Sequence, residues 1–332
     1  MLFLKPPRLK IIRLILILSA AGPLELRAQP AAIEQIQNSR LQQSPGFPAF
    51  ASVTNAPELY QGESTDVGPQ RILRLVPRPR YLNVLFDSQA FYTDNANFAP
   101  TRQKLGSTVF VNTFQAALTP PELPLGDGKI ISTLGVASQW YNYENDQMRR
   151  LDFDAQTVFL GGKYLVGKWL LTFDTSYTRL VDQPNYHLTY QEFLPALTLQ
   201  HFFPITDSLL VTLGNQFDYH FTDRPATLGT YPDINNRLDN IVSLTVSWKI
   251  TRHLVLQPSY RFMFSNYHYN TLQNADRNDY LNSAGVSLVY TFNENFSIRT
   301  FFNYNAKCSD DPYAAAYHEL NGGAGVALNL LF

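Results

Sequence analysis

The sequence predicts an all-β fold: a single antiparallel transmembrane β-barrel of about 12 strands, preceded by an irregular periplasmic N-terminal segment. From Tyr81 onward, apolar and polar residues alternate along successive segments, which is the period of a strand with two different faces. Short turns and long polar loops alternate between these segments. Aromatic residues make up 14% of the chain and charged residues only 16%, a composition that suits a sheet between lipid and water.

Residues 1–28 have the layout of a secretory signal peptide. A basic head between Lys5 and Arg13 overlaps an apolar core from Ile11 to Ala21, and small residues precede a cleavage site after Ala28. The alternative is a membrane anchor, but the apolar run is too short for a bilayer core of about 30 Å. Cleavage leaves 21 basic and 26 acidic residues, a net charge of −5, and nothing in this balance indicates nucleic-acid binding.

Residues 29–80 differ from the rest of the chain. They are rich in Pro, Gln, Ser and Asn and have little periodicity, which predicts a mostly irregular segment with one short helix near Ile33–Leu41. Four arginines lie close together between Arg71 and Arg80. They could contact anionic headgroups or an acidic lumen, or they could form a solvated face.

The barrel itself is predicted over residues 81–332. In "WLLTFDTSYTRLV", Trp169, Leu171 and Phe173 alternate with Thr172 and Asp174. Membrane-crossing strands need roughly 9–11 residues, and single-chain bacterial barrels have an even number of strands. The predicted strands begin near Tyr81, Gly106, Lys129, Leu151, Trp169, Asn185, Leu209, Arg237, Leu254, Asp279, Phe296 and His318.

The connections predict the orientation of the barrel. Tight turns are expected at Val166–Lys168, Ile205–Ser208, Ile250–Arg252 and Asn293–Asn295, with long polar loops between them. Barrels of this kind have short periplasmic turns and longer outer loops, so the tight turns mark the periplasmic end. Thr119–Lys129 is long where a short turn is expected, and a miscounted strand there remains an alternative.

A closed sheet is favoured on physical grounds. An open strand edge in lipid would leave backbone groups unpaired at several kcal/mol each, and pairing the first strand with the last removes both edges. The alternative is a soluble periplasmic β-sandwich, in which many of the exposed Trp, Tyr and Phe would have to face a second sheet.

The last strand resembles the C-terminal signal of bacterial outer-membrane β-barrel proteins. Gly325, Leu328, Leu330 and Phe332 match its glycine, its alternating apolar residues and its terminal aromatic, whereas Gly323 stands where a polar residue is usual. The resemblance is porin-like, covers about residues 81–332 and identifies no specific family. It implies the outer membrane of a Gram-negative-type bacterium, contact with outer-membrane lipid, and recognition of this strand by the barrel-assembly machinery.

The alternation also predicts two charged walls in the lumen. If the two walls face each other across water, their charges create a transverse electric field over a channel. If the charges pair with each other, they plug the lumen. Buried ion pairs are costly unless their geometry is good, and twelve strands lie between filled barrels of about eight and open ones of about sixteen, so a narrow pore is favoured. The acidic wall comprises Asp152, Asp154, Asp174, Glu192 and Asp218, and the basic wall comprises Lys249, Arg261 and Arg299.

A catalytic site has weaker support. Asp218 and His220 share a face near the outer end of a strand and could polarise water, but this spacing is common and no second acidic pair is evident. No metal-ligand pattern, phosphate-binding loop or nucleophile elbow occurs, so no cofactor is expected.

Three functions remain from different classes. The first is a narrow porin-like channel for passive diffusion of small hydrophilic solutes. The second is a non-conducting barrel that anchors, assembles or exports a surface component, with residues 29–80 as a plug or as the part that binds a periplasmic or surface partner. The third is an outer-membrane hydrolase.

Overall fold

The computed structural model describes residues 35, 81–183, 185–223, 233, 235–268, 277–311, 314 and 316–332. The signal peptide expected at 1–28 and the segment 29–80 lie outside these residues, with the exception of Gln35. Gln35 is helical and buried, and it falls within the helix that the sequence predicts near Ile33–Leu41.

Thirteen strands in the described residues form one antiparallel sheet. Twelve are long, and a 14-residue strand measures about 46 Å, so at a tilt of about 45° it rises about 33 Å and crosses a core of about 30 Å. Two 3₁₀ turns, Thr101–Gln103 and Arg149–Leu151, lie between strands. The strands are β1 Leu82–Thr93, β2 Ser107–Leu118, β3 Leu123–Leu125, β4 Gly128–Tyr143, β5 Phe153–Val166, β6 Trp169–Asp182, β7 Leu188–Thr206, β8 Leu209–Asp223, β9 Arg237–Lys249, β10 Leu254–Tyr267, β11 Asn278–Thr291, β12 Phe296–Ser309 and β13 Tyr317–Leu331.

The sheet closes on itself. β2 pairs with β4, and β1 pairs with β13 from Asn83 opposite Leu331 to Thr93 opposite Asn321. The Phe332 N–H donates to the Leu82 carbonyl at 2.8 Å at the end of this seam. Closure satisfies the backbone of every long strand, so the β-sandwich alternative is wrong.

The outward face of the barrel is apolar. Every long strand presents at least one large exposed hydrophobic side chain, for example Phe86 on β1, Phe173 on β6 and Phe217 on β8. Such an extensive apolar surface is the lipid-facing band of a membrane barrel. No helix in the described ranges is long and apolar enough to cross a membrane.

Short and long connections alternate as the sequence predicts. The short connections are residues 167–168, 207–208, 250–253 and 292–295, and they lie at the end where the chain also enters and leaves the barrel. This is the end expected to face the periplasm. The exception at Thr119–Lys129 is explained by β3, which folds back on the start of β4 through a turn in which Gly126 has a φ of +54°. The extra strand is therefore a short appendage to the twelve that cross the membrane.

Candidate functional site

The register of the strands determines which side chains face the lumen, because residues directly opposite each other lie on the same face of the sheet. Asp174 lies opposite Gly161, Glu192 opposite Thr178, and Asp218 opposite Asp239. Along each strand, these residues alternate with the exposed apolar residues that face the lipid, so they face the lumen. By the same criterion the predicted basic residues Lys249, Arg261 and Arg299 face the lumen.

Two members of the predicted acidic wall do not line the lumen. Asp154 lies opposite Trp140, which is exposed on the lipid side, so Asp154 faces outward and contacts Gln183. Asp152 lies at the outer rim, where it accepts a hydrogen bond from the Tyr143 N–H at 2.8 Å. The lumen assignment of both residues is wrong.

The physical reason is that polarity and facing are reversed at this end of β5: Asp154 is in phase with the outward Val158 and Leu160, and an aromatic residue takes the neighbouring inward position. Phe153, the first residue of β5, takes the inward position and stacks on Tyr141 with ring centroids 4.3 Å apart. Burial raises the pKa of the Asp152 carboxyl, and the hydrogen bond from the Tyr143 N–H opposes this effect.

A buried charge network lies at the outer end of the lumen. His220 Nδ1 is 2.5 Å from Glu192 Oε1, and Nε2 is 2.8 Å from Asp239 Oδ2. Arg237 Nε donates to both Asp239 oxygens at 3.1 Å. These contacts fit an imidazolium, because a neutral ring would set a lone pair against one of the carboxylates. All four side chains are almost fully buried.

A second buried network completes this outer level on β11, β12 and β13. Asp279 accepts a hydrogen bond from Arg277 Nε at 2.8 Å and lies 3.0 Å from Lys307 Nζ. Asn305 Nδ2 donates to Glu319 at 2.9 Å. The negative side chains of this network thus lie beside positive or hydrogen-bond-donating partners.

The rest of the outer level is mainly apolar, with a few buried polar residues such as Thr93 and Asn321. Buried inward side chains from β1, β2, β4, β5, β6, β7 and β12 pack into one cluster. Together with the two charge networks they form what we call the outer layer, which narrows the outer end of the lumen on all sides. The cluster includes Phe91, Val109, Val111, Tyr141, Tyr143, Phe153, Leu180, Tyr190 and Phe301.

The lumen beneath the outer layer is more open. Asp174, Lys163 and Lys249 face inward and are exposed. Asp174 and Lys163 lie diagonally on neighbouring strands and interact electrostatically, but no direct ion pair to a described residue is formed by any of the three. Asp174 lies flat over Gly161, where an added Cβ would come within 2.4 Å of its carboxylate oxygen. Glycine therefore provides the space for a charged side chain to lie along the wall.

The side chain of Arg299 also lies along the wall over a glycine. Its guanidinium extends from β12 across Gly325 on β13 and binds Asp87 on β1 with two hydrogen bonds of 2.5 and 2.8 Å. It also donates to Gln89 at 3.0 Å. Of the predicted basic wall, Arg299 is thus paired, whereas Arg261 and Lys249 contact no carboxylate in the described part of the chain.

The predicted catalytic pair has no free ring nitrogen. His220 contacts Glu192 and Asp239 through its two nitrogens and is buried, so no water can approach the imidazole for activation by His220 and Asp218. No group of three or more His, Cys, Asp and Glu among the described residues is arranged to hold a metal ion.

Sequence reasoning missed Arg237, Asp239, Arg277 and Asp279. They carried a signal, because each arginine stands two residues before an aspartate and therefore on the same face of its strand. The residues on neighbouring strands that these pairs contact could not be identified without the strand register.

A closed antiparallel barrel with a lipid-exposed apolar band and a polar lumen defines a transmembrane β-barrel of the outer-membrane type. The chain is similar in structure to an outer-membrane channel from Pseudomonas putida F1, with a TM-score of 0.51 and 10% identity over 76% of this chain and 96% of that one. It is also similar to the β-domain of the Bordetella autotransporter BrkA, with a TM-score of 0.46 and 10% identity over 74% of this chain and 98% of that one. A third similar structure is the NanC porin, with a TM-score of 0.42 and 10% identity over 74% of this chain and 100% of that one. At this identity the likeness shows the fold alone. No protein-family model and no curated protein matches the sequence.

Proposed function

We propose that the barrel is a narrow porin-like channel for passive diffusion of small hydrophilic solutes across the outer membrane. The observation that carries this proposal is the set of exposed inward charges, Asp174, Lys163 and Lys249, beneath the outer layer. An unpaired charge in a dry interior is very costly. These side chains therefore favour a lumen that contains water.

Small inward residues support a passage at this level. An added Cβ at Gly135 would lie 2.4 Å from the Phe159 ring, and one at Gly285 would lie 2.1 Å from the Asn303 amide. These glycines let larger neighbours lie along the wall instead of projecting into the lumen. The outer layer then forms the constriction that limits the size of a permeating solute.

The basic side chains are proposed to set selectivity. Replacing Arg261 and Arg299 with glutamine removes two inward positive charges and leaves Asp87 without its cation. The reversal potential in a salt gradient should shift toward cation selectivity. A matched control is Arg179→Gln, because Arg179 faces outward and binds Gln156 instead of a carboxylate. A reversal potential that stays unchanged in the double variant would refute the role of these lumen charges.

A non-conducting barrel is the second candidate, and the buried outer layer favours it. In that case residues 29–80 would act as a plug or bind a partner. Deletion of residues 29–80 separates these possibilities: loss of a plug raises conductance, whereas loss of a partner-binding arm leaves it unchanged. We further propose that the last strand, through Gly325, Leu328, Leu330 and Phe332, is recognised by the barrel-assembly machinery.

A further inference from the structure

Arg261 differs from the other inward arginines of the described strands. Arg237 contacts Asp239, and Arg299 contacts Asp87. Arg261 donates one hydrogen bond, from Nη2 to Ser283 Oγ at 3.3 Å, and its Nε is buried without a partner. A guanidinium has five N–H donors and no acceptor, so most of the donors of Arg261 remain available.

Three serines occupy the inward positions next to Arg261, and Ser283 is the one whose hydroxyl contacts the guanidinium. Ser243 on β9 and Ser283 on β11 lie directly opposite Arg261, and Ser259 lies two residues away on the same face of β10. Directly opposite residues have Cβ atoms about 5 Å apart. Serine side chains are short, so these three positions leave space in front of the guanidinium. Their hydroxyl groups can rotate to donate to a ligand bound there.

The position of Arg261 makes it accessible from the lumen. Met263, the next inward residue toward the outer end, is buried, whereas Ser259, the next inward residue toward the periplasm, is exposed. Arg261 itself is partly exposed. It therefore lies at the lower surface of the outer layer, where a solute from the periplasmic half of the lumen meets the constriction.

We propose that Arg261, together with Ser243, Ser259 and Ser283, binds the carboxylate group of a small hydrophilic organic acid in the lumen. A guanidinium binds a carboxylate through two parallel hydrogen bonds, and such charge-assisted bonds are stronger than neutral ones. The proposal deepens the proposed function, because it names the class of solute that the channel would hold at its constriction.

Calorimetric titration of the folded mature protein in detergent micelles tests this site. Gluconate is the carboxylate probe, glucose the uncharged probe, and inorganic phosphate the alternative oxyanion. We expect saturable binding of gluconate, at least tenfold weaker binding in Arg261→Gln, and unchanged binding in the outward control Arg179→Gln. Equal gluconate affinity in Arg261→Gln, or equal affinity for glucose, would overturn the proposal. Tighter binding of phosphate would overturn its assignment to a carboxylate.

A second variant keeps the arginine in place. Ser259 is exposed, so Ser259→Asp can supply a carboxylate beside Arg261 without crowding, and it should abolish gluconate binding. A heat-dependent gel shift confirms that each variant is folded. This test can be separated from the test of transport. If the barrel binds gluconate but does not conduct ions, the proposed channel function is refuted and the binding site stands. If the barrel conducts ions but both variants bind gluconate like the wild type, only the binding site is refuted.

Discussion

Asp87→Asn should weaken the seam at which the barrel closes. Arg299 reaches from β12 over β13 to β1, and its contact with Asp87 therefore ties three strands together across the junction of the first and last strands. Asparagine keeps the size of the side chain but removes its charge and one acceptor oxygen. The substitution leaves the guanidinium with two neutral acceptors, the remaining amide oxygen at position 87 and the Gln89 oxygen at 3.0 Å.

The expected loss follows from the burial of the pair. The side chains of Arg299 and Asp87 are only 17% and 5% exposed, and breaking a buried pair costs about 3–5 kcal/mol. Because Arg299 is partly exposed and neutral acceptors remain, we expect a loss at or just below the lower end of this range, about 2–3 kcal/mol. The pair Lys129–Glu122 provides the control, since its side chains are 64% and 50% exposed and such pairs contribute less than about 1 kcal/mol.

Reversible denaturant unfolding in lipid vesicles, followed by tryptophan fluorescence, measures the free energy of unfolding. A double-mutant cycle with Arg299→Gln isolates the interaction between the two side chains. A loss below about 0.5 kcal/mol in Asp87→Asn, or a loss no larger than that in the control Glu122→Gln, would refute the view that this contact stabilises the seam.

The remaining predictions concern glycines and charges of the wall. Gly323→Ala would place a Cβ 2.2 Å from a backbone oxygen and should lower the free energy of unfolding by about 3 kcal/mol. The Cβ of Gly162→Ala meets no atom within 4 Å, so this substitution should stabilise the strand by about 0.5 kcal/mol. Equal effects of the two substitutions in the same unfolding assay would contradict the packing described for these glycines. His220→Ala removes the ring that lies between Glu192 and Asp239, although Asp239 keeps its contact with Arg237, and should cost about 3 kcal/mol. An unchanged free energy of unfolding would argue against the network. Asp174→Asn should change stability by less than about 0.5 kcal/mol but shift the reversal potential toward anions; no shift would remove Asp174 from the conducting path.

Much of the fold follows from the alternation in the sequence. β6 begins at Trp169, as predicted, because its apolar and polar faces alternate without interruption and a two-residue turn precedes it. β7 begins at Leu188 instead of near Asn185. A register irregularity after Leu180 pairs Val181 with Leu188, and no local pattern reveals such a shift.

The site could be predicted only in part. Residue parity correctly places Arg261 and Arg299 on an inward face, because both lie within uninterrupted strands. Parity with the outward Val158 and Leu160 also places Asp154 outward. The lumen assignment of Asp154 is wrong because it follows the polarity of the side chain, and at the rim the inward position is occupied by Phe153. The contacts of His220 with Glu192 and Asp239 join three strands, and their existence depends on a register that periodicity alone does not determine.

Single-channel conductance of the refolded mature protein in a planar bilayer tests the central claim most directly. The heat-dependent gel shift must first show that the protein is folded. A water-filled lumen with exposed, unpaired charges predicts discrete and reproducible conductance steps, smaller than those of wide porins because the outer layer narrows the passage. Silence from demonstrably folded protein would contradict the channel and favour a barrel that anchors, assembles or exports a surface component.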